Sequence, residues 1–335
     1  MKVDGGLGWD LAQVGVQAQE LEEMGYSGAL SFETSHDPFF PLAIASQHTQ
    51  NIDLMTSIAV AFARTPMLLA QIGHDLNAAS KGRFVLGLGS QIRPHITKRF
   101  SMPWSHPAAR MREFILAMRA IWNCWHEGKP LEFAGEFYTH TLMTPMFTPE
   151  NPEFGAPRVF LAAVGPRMTE VAGEVADGVI IHAFTTEKYL RETTLPALEK
   201  GLAKAGKTRS DFEISYPVFV VTGQNATELE ASREAICKQI AFYGSTPAYK
   251  PVLESIGAFE LQPELNRLSK QGRWDDMGEL ITDELLNAFA VVGEPESIPA
   301  QIKARYGDLI DRTSAAYTNL AEEDRRSIIA QLTAI

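Results

Sequence analysis

The chain has 335 residues, 45% of them hydrophobic and 21% charged, which is enough apolar material for a substantial core and too little charge for a disordered polymer. A formal net charge of −11 argues against nucleic acid or an anionic membrane surface as partner, since both reward clustered Lys and Arg. Cys124 and Cys237 stand in no metal-ligand spacing, no basic region precedes an apolar core at the start, and no apolar run approaches about 18 residues, so a cytoplasmic protein without disulfides or metal is expected.

Length alone allows two average domains or one large α/β barrel. The order of the patterns favours the barrel. Residues 2–6 read as a short strand, and Leu11, Val14, Ala18 and Leu21 follow at helical spacing until a stop at Gly25. A second strand is predicted over 28–32, a helix over 41–50 and a third strand over 53–60; Thr65-Pro66 then opens a helix, where proline suits the first turn. The segment "GRFVLGLGS" gives a fourth strand over 84–88, and this alternation argues for a parallel sheet wrapped by helices. Beyond it come a polar loop, a helix over 107–126 with Met111, Ile115, Met118 and Trp122 on one face, and a hairpin through "LEFAGEFYTH". Strands resume at "RVFLAAVG", "GVIIHAF" and "EISYPVFVVTG". A helical region covers 226–306, and "DRTSAAYT" makes an eighth strand before a terminal helix. With no repeat or linker demanding a boundary, the expectation is one α/β domain over 1–335, a (β/α)8 TIM barrel with insertions after strands 4 and 7.

In such a barrel ligands bind at the C-terminal ends of the strands. Strand two runs into "ETSHDPFF", which places Glu33, Ser35, His36 and Asp37 there. A histidine suits acid–base work near neutral pH, while Asp37-Pro38 equally starts an ordinary polar turn. Strand three ends in "MTSIAVAFART", whose apolar residues read as core. Strand four ends in "LGLGSQIRPHITKRF": Gly87 and Gly89 permit close backbone approach to a ligand, and Arg93, His95, Lys98 and Arg99 form the densest basic run, either an anion site or a surface loop. Ile92 stands where a dinucleotide fingerprint needs its third glycine. After strand five, Gly165-Pro166 opens a helix whose N–H groups suit a phosphate, although Gly-Pro also simply starts helices. His182, at the end of strand six, is placed to face a pocket; His48, His74, His126 and His140 read as surface or packing residues.

Together "SHDPF", "TSIAVAFARTPMLLAQ", "GRFVLGLGS" and "VFLAAVGPRMTEVAGEVADGVI" resemble the luciferase-like superfamily, and within it the branch of deazaflavin (coenzyme F420)-dependent oxidoreductases. The likeness covers essentially the whole chain, and "GSQIRPHITKRFSMPW" and "FAVVGEPESI" resemble an actinobacterial subgroup of that branch. It implies a luciferase-like barrel, a homodimer, a small-molecule substrate, and coenzyme F420 as cofactor, with FMN as the alternative. It also implies a bulge with a non-prolyl cis peptide at Ser57-Ile58 behind the deazaflavin ring. Ala163, Val164, Gly165 and Pro166 would hold the cofactor phosphate, Gly87, Gly89, Ser90 and Arg93 would complete the cofactor side, and Arg93, Lys98 and Arg99 would meet its acidic tail. His36 matches the histidine that takes the substrate hydroxyl proton. Asp37 and Gln91 join it in the catalytic set, and Phe39, Phe40 and His182 line the substrate pocket. Two positions depart from the branch's alcohol dehydrogenases: Ser35 replaces an aspartate before the histidine, and Gln91 replaces a glutamate after the strand-four glycines. Both changes remove a carboxylate.

The leading expectation is thus an F420-dependent oxidoreductase moving a hydride between deazaflavin and a small organic substrate. The alternatives are an FMN-dependent luciferase-like monooxygenase, a barrel that binds the cofactor without turnover, and a metal-dependent hydrolase built on His36, Asp37 and His182. The last lacks a His-x-His on strand one.

Overall fold

The computed structural model of the protein describes residues 1–150, 153–314, 317 and 320–334. Chain contacts divide it into two compact units, one made of Asp4–Ile180 with Ala197–Glu213 and the other of Met1–Val3, Ile181–Pro196 and Ile214–Ile335. The eight main strands in chain order are β1 (Lys2–Gly6), β2 (Gly28–Ser31), β3 (Asp53–Thr56), β4 (Phe84–Gly89), β5 (Arg158–Ala163), β6 (Gly178–Ile181), β7 (Glu213–Tyr216) and β8 (Arg312–Ser314).

The first unit carries a sheet ordered β1-β2-β3-β4-β5-β6. Its pairings from β1 to β5 are parallel, with Gly5 opposite Ala29, Ala29 opposite Leu54, Leu54 opposite Phe84 and Gly87 opposite Phe160. Each connection carries a helix, as parallel pairing requires: α1 (Val14–Met24), α2 (Phe39–His48), α3 (Pro66–Ala79), α4 (Pro107–Glu127) and α5 (Pro166–Val175). Thr65 caps α3 as its composition predicts, its hydroxyl accepting the Leu68 N–H at 3.3 Å. Met111, Ile115, Met118 and Trp122 are buried on α4, and the Trp122 indole N–H donates to the Ala70 carbonyl of α3 at 3.0 Å. One buried residue from each of β2 to β6, namely Leu30, Met55, Val85, Phe160 and Ile180, meets the others in a core cluster against which Phe32, Ile58 and Ala162 pack.

The third strand departs from the continuous run predicted over 53–60. Met55 pairs with Val85 and Ala59 with Leu88, so four steps along one strand match three along the other and one extra residue is accommodated between them. The bond Ser57–Ile58, inside that interval, is cis. Gly87 lies opposite this bulge, and a Cβ built on it would fall 1.8 Å from the Thr56 carbonyl oxygen. The Thr56 hydroxyl in turn donates to the Gly87 carbonyl at 2.8 Å.

In the other unit β7 pairs in parallel with β8, Ser215 opposite Arg312. The predicted run "EISYPVFVVTG" is broken at Pro217, which has no N–H to give a ladder. A separate strand, Phe219–Val221, pairs in parallel with Ala290–Val292. Between these two come the long helix Ala226–Gly244 and four shorter ones, which bury Phe184, Ile240, Leu253, Leu265 and Phe289. Of the predicted eighth strand, 312–314 is strand; residues 315, 316 and 318 lie outside the described residues. Among the described residues no helix is long and apolar enough to cross a membrane.

The Gly87 contact yields a stability prediction. Gly87→Ala drives a methyl into backbone rather than into a movable side chain, and overpacking of this kind costs about 1–3 kcal/mol or more. Gly165→Ala meets nothing within 4 Å and should stay within about 0.5 kcal/mol of the parent. Urea unfolding of the two variants side by side checks both.

Candidate functional site

The C-terminal ends of β2, β3, β4 and β5 all belong to the first unit, and so do the residues predicted to work there. After β2 the chain turns through Phe32–Pro38 before α2 begins. Glu33 is buried, and one carboxylate oxygen, Oε2, accepts both the Val60 N–H and the Arg64 Nη1–H, each at 2.7 Å. Arg64 also donates through Nη1 to the Val60 carbonyl at 3.2 Å and through Nη2 to Asp37 Oδ2 at 2.9 Å. The other Asp37 oxygen accepts the Phe39 N–H at 2.9 Å, which places the start of α2 two residues earlier than predicted. Asp37, expected in the catalytic set, thus has both oxygens committed to holding the turn.

His36 sits between these anchors with an exposed ring stacked on Trp9, the centroids 6.1 Å apart and the planes 28° from parallel. The Trp9 indole N–H donates to the Phe32 carbonyl at 3.5 Å, and Arg99 donates to the Thr34 carbonyl. Phe39 is buried beneath the Arg64 guanidinium, which lies 5.2 Å from its ring centroid, whereas Phe40 is 63% exposed. Of the two aromatics predicted to wall a pocket, Phe39 belongs to the packing under the turn.

The bulge Ser57–Ile58 follows on β3. The Ser57 N–H donates to the Ser31 carbonyl at 2.7 Å, which ties the bulge to the end of β2. The missing side chains of Gly87 and Gly89, expected to permit close backbone approach to a ligand, permit close approach within the protein. The volume their side chains would take is filled by the Thr56 carbonyl and, at Gly89, by Ile58 side-chain atoms from 2.8 Å. These glycines let β4 approach the bulge. Beyond them the half-buried Ser90 donates through its hydroxyl to the Gln91 carbonyl at 3.2 Å, and Gln91 holds a φ of 57°, a left-handed conformation uncommon for a residue with a side chain. Arg93 and Lys98 are exposed on and beside the short helical turn His95–Arg99.

At the end of β5, Ala163 is buried and Val164 exposed. Gly165 precedes α5 with open space within 4 Å of its Cβ position, Pro166 is at the first helical position, and no side chain caps the helix. The N–H groups at such a helix start bind anions. His182 lies in the other unit, where its ring stacks on Tyr249 (4.7 Å, 27°) and meets Tyr243 edge-on (4.7 Å, 85°). Its Nδ1 accepts the Phe184 N–H at 3.0 Å, which leaves the proton of the neutral ring on Nε2. Burial pushes this imidazole down to about 4. Among the described residues no three His, Cys, Asp or Glu side chains gather as a metal site.

Sequence reasoning missed Arg64 and Trp9. The segment "FART" gave a basic residue just past a predicted strand end, but its two carboxylate partners lie 31 and 27 residues away, beyond any local pattern. Trp9 stands beyond Leu7 and Gly8 after β1, and its partners His36 and Phe32 belong to the next strand's loop, again beyond any local pattern.

Residues 3–312 match the luciferase-like monooxygenase family. The chain belongs to that family. A relative in Mycobacterium tuberculosis, itself uncharacterised, is 54% identical over 323 residues, covering 96% of this chain and 95% of its own. A 5,10-methylenetetrahydromethanopterin reductase of Archaeoglobus fulgidus is 27% identical over 293 residues, covering 86% of this chain and 83% of its own. Among solved structures, the coenzyme F420-dependent tetrahydromethanopterin reductase of Methanopyrus kandleri superposes with a TM-score of 0.80 at 18% identity, over 99% of this chain and 97% of that one. The fold of this luciferase-like protein is accordingly the (β/α)8 barrel predicted from sequence. The family's monooxygenase description and the reductase activity of the Archaeoglobus relative place the protein among oxidoreductases.

The buried His182 carries a pH prediction. A histidine in the unfolded chain takes up its proton near pH 6.5, whereas this one resists until about 4, so stability is complete above 6.5 and lost as pH falls toward 4. The loss reaches at most on the order of 3 kcal/mol. Urea unfolding across that window should show this increment in the parent and not in His182→Phe.

Proposed function

We propose that this luciferase-like protein is an F420-dependent oxidoreductase that moves a hydride between the deazaflavin and a small organic substrate, with His36 as the proton-transfer residue. The observation that carries the reading is a juxtaposition within one unit: the Ser57–Ile58 bulge is bonded to the end of β2, and the loop that continues from β2 presents an exposed histidine. The likeness to an F420-dependent reductase adds to it.

The residues present fit the cofactor. Gly165 leaves open the volume that a side chain would fill, at an uncapped helix start suited to a phosphate. Ala163, Val164 and Pro166 shape that turn, the backbone of Ser57 and Ile58 would back the ring, and Ser90 and Arg93 would complete the wall. When bound, the deazaflavin supplies the two-electron centre for the hydride. His36 takes the hydroxyl proton of the substrate in the oxidising direction and returns it in the reducing one. Trp9 holds the face of its ring. Gln91 has no ionisable group, so its part is hydrogen bonding to substrate or to His36 rather than proton transfer. Phe40, exposed on α2, contributes apolar surface near the turn.

The family's monooxygenase description supports a second reading, FMN as the bound flavin with oxygen as co-substrate. Titration of the purified protein with each cofactor decides between them. Binding of F420 and not of FMN is expected, together with a fall of about a hundredfold or more in hydride transfer for His36→Ala at a cofactor affinity within a few fold of the parent. Tight FMN binding without F420 binding, or a His36→Ala protein as active as the parent on a panel of alcohols, aldehydes and enones, overturns the proposal.

A further inference from the structure

We infer that Arg64 is a positioning residue that sets where His36 stands relative to the Ser57–Ile58 bulge. The inference rests on the reading above, in which His36 moves the proton and the bulge backs the cofactor ring. Three contacts converge on one guanidinium. Nη1 meets Glu33, three residues before His36, at 2.7 Å, and Nη2 meets Asp37, the residue directly after it, at 2.9 Å. The turn bearing His36 is therefore gripped on both sides by one rigid, planar group. Nη1 also donates to the carbonyl of Val60, two residues past Ile58, while the Val60 N–H donates to the same Glu33 oxygen that Arg64 holds.

The consequence is a closed ring of polar contacts with few degrees of freedom. Glu33, with a side chain 5% exposed, is anchored to the strand resumed after the bulge, and Arg64, 16% exposed, bonds to that strand and to both ends of the turn. A shift of the histidine away from the bulge stretches at least one of these bonds. Trp9 and Arg99 restrain the same turn from outside through the His36 ring and the Thr34 carbonyl, but neither reaches the bulge strand through a contact of its own. Only an arginine serves here, because its fork donates in two fixed directions, whereas a lysine offers a single point charge on a flexible stem.

The test uses the full chain with ¹⁵N-labelled histidine and follows the His36 ring signals, amide hydrogen exchange over 33–39, and F420 affinity in Arg64→Lys and Asp37→Asn. Arg64→Lys keeps the charge facing Glu33 and loses the fork; Asp37→Asn keeps the Oδ1 acceptor for Phe39 and loses one arm, so it reports on the clamp even where the lysine variant fails to fold. Both variants should move the His36 ring signals and speed exchange over 34–37 by tenfold or more, with F420 affinity within threefold of the parent. Once a substrate is in hand, kcat should fall by about tenfold with KM little changed. Unaltered His36 signals and exchange in a folded variant overturn the inference, whatever His36 does. A fully active His36→Ala with a responsive Arg64→Lys overturns the proton-transfer reading and this inference's catalytic consequence, while the mechanical clamp stands; the two failures are thus distinct.

Discussion

A carboxylate placed almost out of water must be met by donors, and the candidate site is arranged around that requirement at Glu33. Its Oε2 is satisfied by a backbone N–H of the strand that resumes after the bulge and by the Arg64 guanidinium. Because the same guanidinium reaches Asp37, the chain between the two acids has little choice of path. His36 is exposed, yet it is carried on a turn held on both sides by one guanidinium, with its Glu33 end buried. Access suited to a ligand and anchoring suited to chemistry are thus assigned to different atoms.

The other half of the arrangement is the bulge itself. One extra residue in β3 requires that its neighbour yield space, and Gly87 and Gly89 yield it. The two glycines therefore act through the backbone shape they permit at Ser57–Ile58. Gly165 differs, since its missing side chain leaves open volume at a helix start. These three glycines thus have two different uses, and only the packing around each tells them apart.

Much of this was legible in the sequence. Alternating strand and helix patterns gave the fold class, Thr65-Pro66 gave the start of α3, and the apolar face of α4 was read residue by residue, because those signals are local and periodic. The break of β7 at Pro217 is equally local, since proline has no N–H for a ladder. The bulge in β3 left no trace in periodicity, since a strand buried on both sides is apolar whether or not its register slips. The family resemblance supplied it instead. Arg64 was invisible for a related reason: its partners are close only after β2 and β3 have paired. Asp37 shows the converse, for a carboxylate next to a histidine suggests catalysis in one dimension, while in three its oxygens accept from Arg64 and Phe39 and hold the turn.

In the proposed deazaflavin site, formed by the strand ends of one unit, the Ser57–Ile58 backbone stands behind the ring and His36 faces the reacting carbon. A crystal structure of the protein soaked with F420 tests it most directly. The ring is expected against Ser57 and Ile58, the phosphate at the Gly165 N–H, and the His36 imidazole on the open side of the ring. A cofactor seated away from the bulge, or His36 turned from it by its contacts with Trp9 and the Arg64 clamp, would contradict the proposed site.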